Sequence, residues 1–542
     1  MRKLGAVLAV VGTMVAATFG LAACGDEAGG KEGGALKVSF AFFPDYLDPQ
    51  LSQTVEGWSA MYNTYIPLLT YAHAEDKAGS EVVPGLAESL PEISKDGKTY
   101  DLTLRKGLKY SDGTPVRASD FKASVERLFE LESGGSPFFS DIVGAEEFAE
   151  TKQGGISGIQ ANDRTGEITI ELTRPRGTFV NELAMMYTAP LPPDTPAKDQ
   201  SPTPPPATGP YEIVESKPGR SWSYERNPEW AGNNAELMPD LPSGHVDKIE
   251  AEVVRNQSIQ VNDVESGKTN WMFDPLPPDR VAQVKQRYEG TQFRPEPSIS
   301  TYFFWMNTTQ PPFDDLKVRQ AVNHAIDPAA VERVYAGELI PSQQILPEGM
   351  PGYEKFELYP HDLQKAKALV AQANPSDRSV TVWSDNFSPN DEIGAYVQDV
   401  LDQIGFDAKL KTLGDPYFSV IGNTSTPDLD IGWANWFEDY PHPNDFFEPL
   451  LSGASIAPVS NGNFAQIDDP KLNRKIDELG SQQLSPQVEE EYAQLDREFM
   501  EQAPWAPLGA REVSLFVSDD VDMEEVVWNP TFWGDMTSFQ FK

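Results

Sequence analysis

The chain of 542 residues contains one cysteine, Cys24, so no disulfide can form within it and no thiolate cluster can hold a metal. Its five histidines (His73, His245, His324, His361 and His442) stand far apart and give no H-x-x-x-H ligand pair. Positive charge is scarce: 43 Lys and Arg against 83 Asp and Glu leave a formal charge of −40. Such a surface repels phosphate backbones, which argues against a nucleic-acid partner. Phosphate-cradling loops are lacking too. Gly97-Lys98-Thr99 and Gly267-Lys268-Thr269 have Glu92 and Asn262 where the earlier glycine of such a loop should stand. No G-x-S-x-G elbow occurs, so a secreted hydrolase lacks a recognisable nucleophile. Asp314-Asp315, Asp468-Asp469 and Asp519-Asp520 do not carry the glycine-spaced calcium-loop pattern and read as turns and helix starts. Neither metal nor cofactor is expected.

What is present describes a folded, exported protein. Hydrophobic residues make up 39% and aromatics 11%, too many for a disordered acidic tail. With 46 Pro and 41 Gly, turns must be frequent, which disfavours a long helical bundle. Arg2 and Lys3 precede an uncharged run from Leu4 to Ala23, the pattern of a secretory signal. Leu21-Ala22-Ala23-Cys24 is similar to a bacterial lipobox, so cleavage before Cys24 and lipidation of that residue are expected. The alternatives are a membrane-spanning anchor, whose apolar run Gly5, Gly12, Thr13, Thr18 and Gly20 dilute, and a plain signal peptide. Loss of Arg2 and Lys3 would take the charge from −40 to −42. Residues 25–35 are Gly-rich and read as a flexible tether. The expected location is extracytoplasmic, anchored to the cell membrane by lipid.

Periodicity predicts mixed α/β structure. Lys37–Phe43, Thr99–Leu104, Glu167–Leu172, Ser379–Trp383, Phe406–Leu413, Asp428–Trp436 and Val513–Val517 read as strands. Helices are predicted over Trp58–Thr70, with Pro67 near its end, from Ser119 through Glu132, over Leu316–Tyr335, broken at Pro328, and over Asp362–Ala373. Two more begin at Ser388-Pro389, ending at Gly405, and at Ser485-Pro486, running to Ala503. Gly209–Val214 and Trp222–Glu225 form a hairpin across Lys217–Arg220, and Pro190–Pro210 reads as an extended surface connection. Strand, helix and strand between Ser379 and Leu413 make a βαβ unit and so a parallel strand pair.

Four ordered segments carry a resemblance. They are Val83-Pro-Gly-Leu-Ala-Glu-Ser89 running on through Leu104–Val116 and Ala118-Ser-Asp120; Ala207-Thr-Gly-Pro-Tyr211 with Glu225–Trp230; Asn307-Thr308 with Pro312–Asp327; and Trp433-Ala-Asn-Trp-Phe-Glu-Asp-Tyr-Pro-His-Pro443. Together they resemble the extracytoplasmic solute-binding proteins of peptide ABC importers. The resemblance implies an α/β, two-lobed fold like that of type II periplasmic binding proteins, closing on a hinge over an extended ligand. It places lobe 1 at 36–298, with an inserted subdomain about 72–205, lobe 2 at 299–506 and a return to lobe 1 at 507–542. Crossings are expected near Pro295–Ser300 and Pro504–Leu508.

The resemblance also implies a peptide ligand, a permease and ATPase as partners, no enzymatic activity and a monomeric receptor. Asp439 is the expected partner of the ligand's α-ammonium, with Trp436 and Tyr440 as pocket walls and Tyr302 and Asn307 near hinge and cleft. Arg319 is expected in an internal ion pair, the alternative being a ligand carboxylate. Two departures stand out: Tyr65-Ile66-Pro67-Leu68 lacks an acid common in relatives, and Ala207 replaces a frequent glycine. An oligosaccharide or other solute stays open as ligand, since this fold hosts several.

Overall fold

In the computed structural model the described residues are 31–414 and 416–542; Cys24 and the expected leader lie outside them. The strand Ser300–Met306 reads Ser-Thr-Tyr-Phe-Phe-Trp-Met and is buried at every position, as a central strand covered on both faces must be. On one side it pairs antiparallel with Ile431–Phe437, which leads to Ser379–Asp385 and then Asp407–Leu413. The last two are parallel, Ser379 opposite Asp407, and the helix Asn390–Ile404 connects them. Gly405 ends that helix at φ 105°, a left-handed conformation open to glycine at little cost. The expected βαβ unit is therefore present.

A second strand group surrounds Ala35–Phe40, which lies parallel to Lys248–Val253 and Trp271–Met272. The hairpin Tyr211–Lys217 with Ser221–Arg226 extends its edge. Beside it sits a four-stranded antiparallel sheet containing Thr99–Thr103 and Glu167–Glu171, packed near the helix Ala118–Glu130.

One strand joins the two groups. Trp505–Val517 is longer than the predicted Val513–Val517: its first half pairs with Ser300–Met306 and its second half with Phe293–Pro297 and Trp271–Met272. The chain crosses between groups inside this strand rather than in a loop. At Gly509 φ is 146°, and a Cβ there would fall 2.1 Å from the Ile340 carbonyl oxygen. The other crossing is the short link at Ser298–Ile299 between Phe293–Pro297 and Ser300–Met306.

Two large apolar interiors follow this division. One draws on residues between Leu36 and Phe273 and between Val513 and Phe539, with Tyr440 reaching into it; the other runs from Ile299 to Leu508. These are the two lobes. The expected helix over Trp58–Thr70 covers only Val55–Met61, because tertiary partners take the next segment: Ile66 N–H donates to Thr208 Oγ1 and Leu69–Tyr71 pairs as a strand with Val82–Pro84. Pro190–Pro210 is irregular, as expected, but not a surface connection. Leu191, Ser201, Ala207 and Thr208 are buried, and Arg127 donates to the carbonyls of Pro196 and Lys198. Asp315 and Asp469 act as helix N-caps, as their sequence context predicts. No helix among the described residues is long and apolar enough to cross a membrane.

Candidate functional site

A cavity of about 920 Å³ lies between the lobes. Lobe 2 contributes the end of the strand Ile431–Phe437 and the turn after it; lobe 1 contributes the start of the helix Val55–Met61, Phe138, Tyr187 and Trp533. The turn is fixed by Asp445, buried at the start of the helix Asn444–Leu451. Its Oδ2 accepts from the Trp436 indole N–H at 3.1 Å and from the Asp439 backbone N–H at 2.9 Å. One carboxylate oxygen thus sets both an aromatic wall and the backbone of the residue that points into the cavity.

Asp439 is half-buried and lines this space. Burial alone pushes its carboxyl up to about 7, with no hydrogen bond or cation offsetting the lost hydration. Burial raises Asp445 as well, and the neighbouring charge of Asp439 adds to the effect. The arginines of the cavity are already engaged. Arg176 donates to both oxygens of the buried Glu182, at 2.7 and 2.9 Å, and to Asp141 at 3.2 Å. Arg174 reaches Asp141 at 2.9 Å, and both arginines lie 3.8 Å from Glu448 of lobe 2. These contacts hold the lobes together beside Tyr440, whose ring meets Phe138 of lobe 1 edge-on at 6.0 Å.

Asp439, Trp436 and Tyr440 therefore share one cavity. Tyr302 and Asn307 sit elsewhere. Tyr302 is buried among Tyr335, Trp433 and Phe437, opposite Gly509 of the connecting strand. Asn307 closes a turn, donating to Leu429 O and accepting from Thr309. Arg319 makes no ion pair among the described residues; its guanidinium donates to the carbonyls of Phe313, Asp314 and Gln502. The last of these ends the helix Pro486–Gln502, where unpaired carbonyls attract a cation.

Trp533 is a further cavity residue, outside the four resembling segments. It lines the cavity with φ 64°, an uncommon conformation for a bulky residue, and stacks on Phe273 at 4.9 Å. The aromatic run Trp528-Asn-Pro-Thr-Phe-Trp533 was the available signal. No group of His, Asp or Glu that could hold a metal ion occurs among the described residues.

The sequence profile of bacterial extracellular solute-binding proteins, family 5 (middle region), matches residues 81–458. The chain belongs to this family. Among curated relatives of this family 5 protein, the glutathione-binding protein GsiB of Escherichia coli O1:K1 / APEC is 26% identical over 441 residues, covering 78% of this chain and 79% of GsiB. The dipeptide-binding protein of Escherichia coli K12 is 27% identical, covering 77% of this chain and 78% of its own. The solved structure of clavulanic acid biosynthesis oligopeptide binding protein 2 superposes with a TM-score of 0.86 at 25% identity, covering 94% and 96% of the two chains. The Helicobacter pylori DppA complex with the peptide STSA gives 0.75 at 20% identity over 94% of this chain and 98% of that one, a likeness of fold. The family 5 protein thus has the two-lobed α/β architecture of periplasmic binding proteins.

Proposed function

We propose that this family 5 protein is the receptor of an ABC import system, capturing peptides between its lobes and presenting the closed form to a membrane permease and its ATPase. The observation that carries the reading is Asp439: a carboxylate without a cation or donor among the described residues, in an aromatic-walled cavity built from both lobes. A peptide's α-ammonium supplies the missing partner, and a charge-assisted contact there is stronger than one in water. Backbone hydrogen bonds and bound water can accommodate varied side chains. That relatives are named for glutathione and dipeptides supports the same ligand class. The receptor is monomeric, performs no chemistry on its cargo and is tethered through lipidated Cys24.

Asp439→Asn tests the anchor. Free-amine tripeptides should lose about 10- to 100-fold in affinity by calorimetry, the size of a lost charged hydrogen bond, while N-acetylated tripeptides change little. Equal losses for both would remove Asp439 from this role. The aromatic walls would also suit a sugar. Native mass spectrometry of the purified protein separates the readings, since co-purified saccharide without peptide would favour the sugar.

A further inference from the structure

The cavity's charge does not balance, and the imbalance indicates which peptides it takes. Among the described residues Arg174 and Arg176 are its only lining cations, and Asp141, Glu182 and Glu448 already surround them. Three further lining carboxylates have no cation within ion-pairing distance among the described residues: Asp439 and Asp445 on lobe 2 and Glu56 on lobe 1. Burial raises the carboxyls of Glu56 and Asp445, and the charges that add to the effect are themselves acids, Asp45 for the first and Asp439 for the second. Asp45 offers no relief, because its oxygens accept from Ser52, Gln53 and Thr54.

A ligand bearing one ammonium and one carboxylate brings no net charge to this space. Its carboxylate would find both arginines occupied, and its ammonium could answer only one wall. Carboxylates enclosed without a cation are costly to keep ionised, so the ligand that closes the cavity best adds positive charge on both sides.

We propose that the cavity selects cationic peptides, with the α-ammonium at the Asp439–Asp445 wall and a Lys or Arg side chain at Glu56 on the facing lobe. The inference rests on the peptide reading above and adds a charge class to it. Glu56 is then a specificity residue that only the closed form brings to the ligand. Because neither arginine is free, the peptide's C-terminal carboxylate contributes little to recognition.

Calorimetry on the full mature protein with Ala-Ala-Ala, Ala-Lys-Ala, Lys-Ala-Ala and Ala-Glu-Ala provides the test. A lysine peptide should bind at least about tenfold tighter than Ala-Ala-Ala, and Ala-Glu-Ala at least about tenfold weaker. Glu56→Gln should reduce the lysine preference to about threefold or less, with circular dichroism and melting used to verify the fold. Similar affinities across the four peptides would overturn the charge selection while leaving the peptide receptor intact. A lysine preference undiminished in Glu56→Gln would overturn the assignment to Glu56. Binding of none of the four would overturn the peptide reading and this inference with it.

Discussion

Asp496 lies in the interior of lobe 2, where Oδ1 accepts from the Ile345 N–H at 2.9 Å and Oδ2 from the Leu346 N–H at 3.0 Å. Burial still pushes its carboxyl up to about 7, so the two donors only partly replace lost water. Asp496→Ala would leave two buried N–H groups without acceptors. The expected cost is about 2–4 kcal/mol, read as a lower midpoint in urea denaturation. A loss of stability below about 0.5 kcal/mol would mean that water fills the gap. Asp439 is the opposite kind of acid: half-buried, with no donor to its carboxylate among the described residues, which leaves it open to the ligand cation proposed above. From sequence alone both were aspartates in apolar surroundings; the residues that distinguish them, Ile345 and Leu346, are far from Asp496 in the chain.

Among elements, the segment after the strand Glu167–Glu171 bridges the lobes. It brings Arg174, Arg176 and Gly177 to lobe 2, where the Gly177 N–H donates to the Gly480 carbonyl at 2.8 Å. A Cβ on Gly177 would fall 1.7 Å from the Gln482 carbonyl oxygen. Gly177→Ala should therefore hold the lobes apart. Small-angle scattering is expected to give the variant, with saturating ligand, the larger radius of gyration of the empty wild type, and affinity should fall about tenfold or more. Compaction equal to that of the wild type would show that the contact is not needed for closure. This contact had no signature in the sequence, since a glycine that permits a long-range approach looks like any turn glycine. Local signals fared better. Gly405 stopping its helix, the hairpin around Lys217–Arg220, the break at Pro328 and the capping aspartates were all legible, because each depends on chemistry within a few residues. Helix Val55–Met61 and the buried part of Pro190–Pro210 depart from the local pattern because distant partners, Thr208 and Arg127, decide the outcome.

At the level of the whole molecule, acid is stored out of water. Burial pushes Asp274, Glu296, Asp439 and Asp496 each up to about 7. Raised above their unfolded values, these groups bind more protons in the folded state. Their contribution to stability is complete below about pH 4 and is lost as pH rises through 7. The formal charge of −40 acts in the same direction, because self-repulsion grows as carboxyls ionise. The melting temperature of the empty protein should fall steadily between pH 5 and pH 8 in low salt. A calorimetric melting temperature that rises across that interval would contradict the buried-acid account. Four resembling segments were enough to recognise the two-lobed family, yet where its charge stands unpaired became visible only once both lobes were in place.

The strand Trp505–Val517 has a consequence for the order in which the protein can be made. It is a neighbour to Ser300–Met306 in one lobe and to Trp271–Met272 in the other. Both of those strands leave the ribosome long before it does. A polypeptide emerging from its N-terminus therefore completes neither strand group until this strand arrives, and then completes both at once.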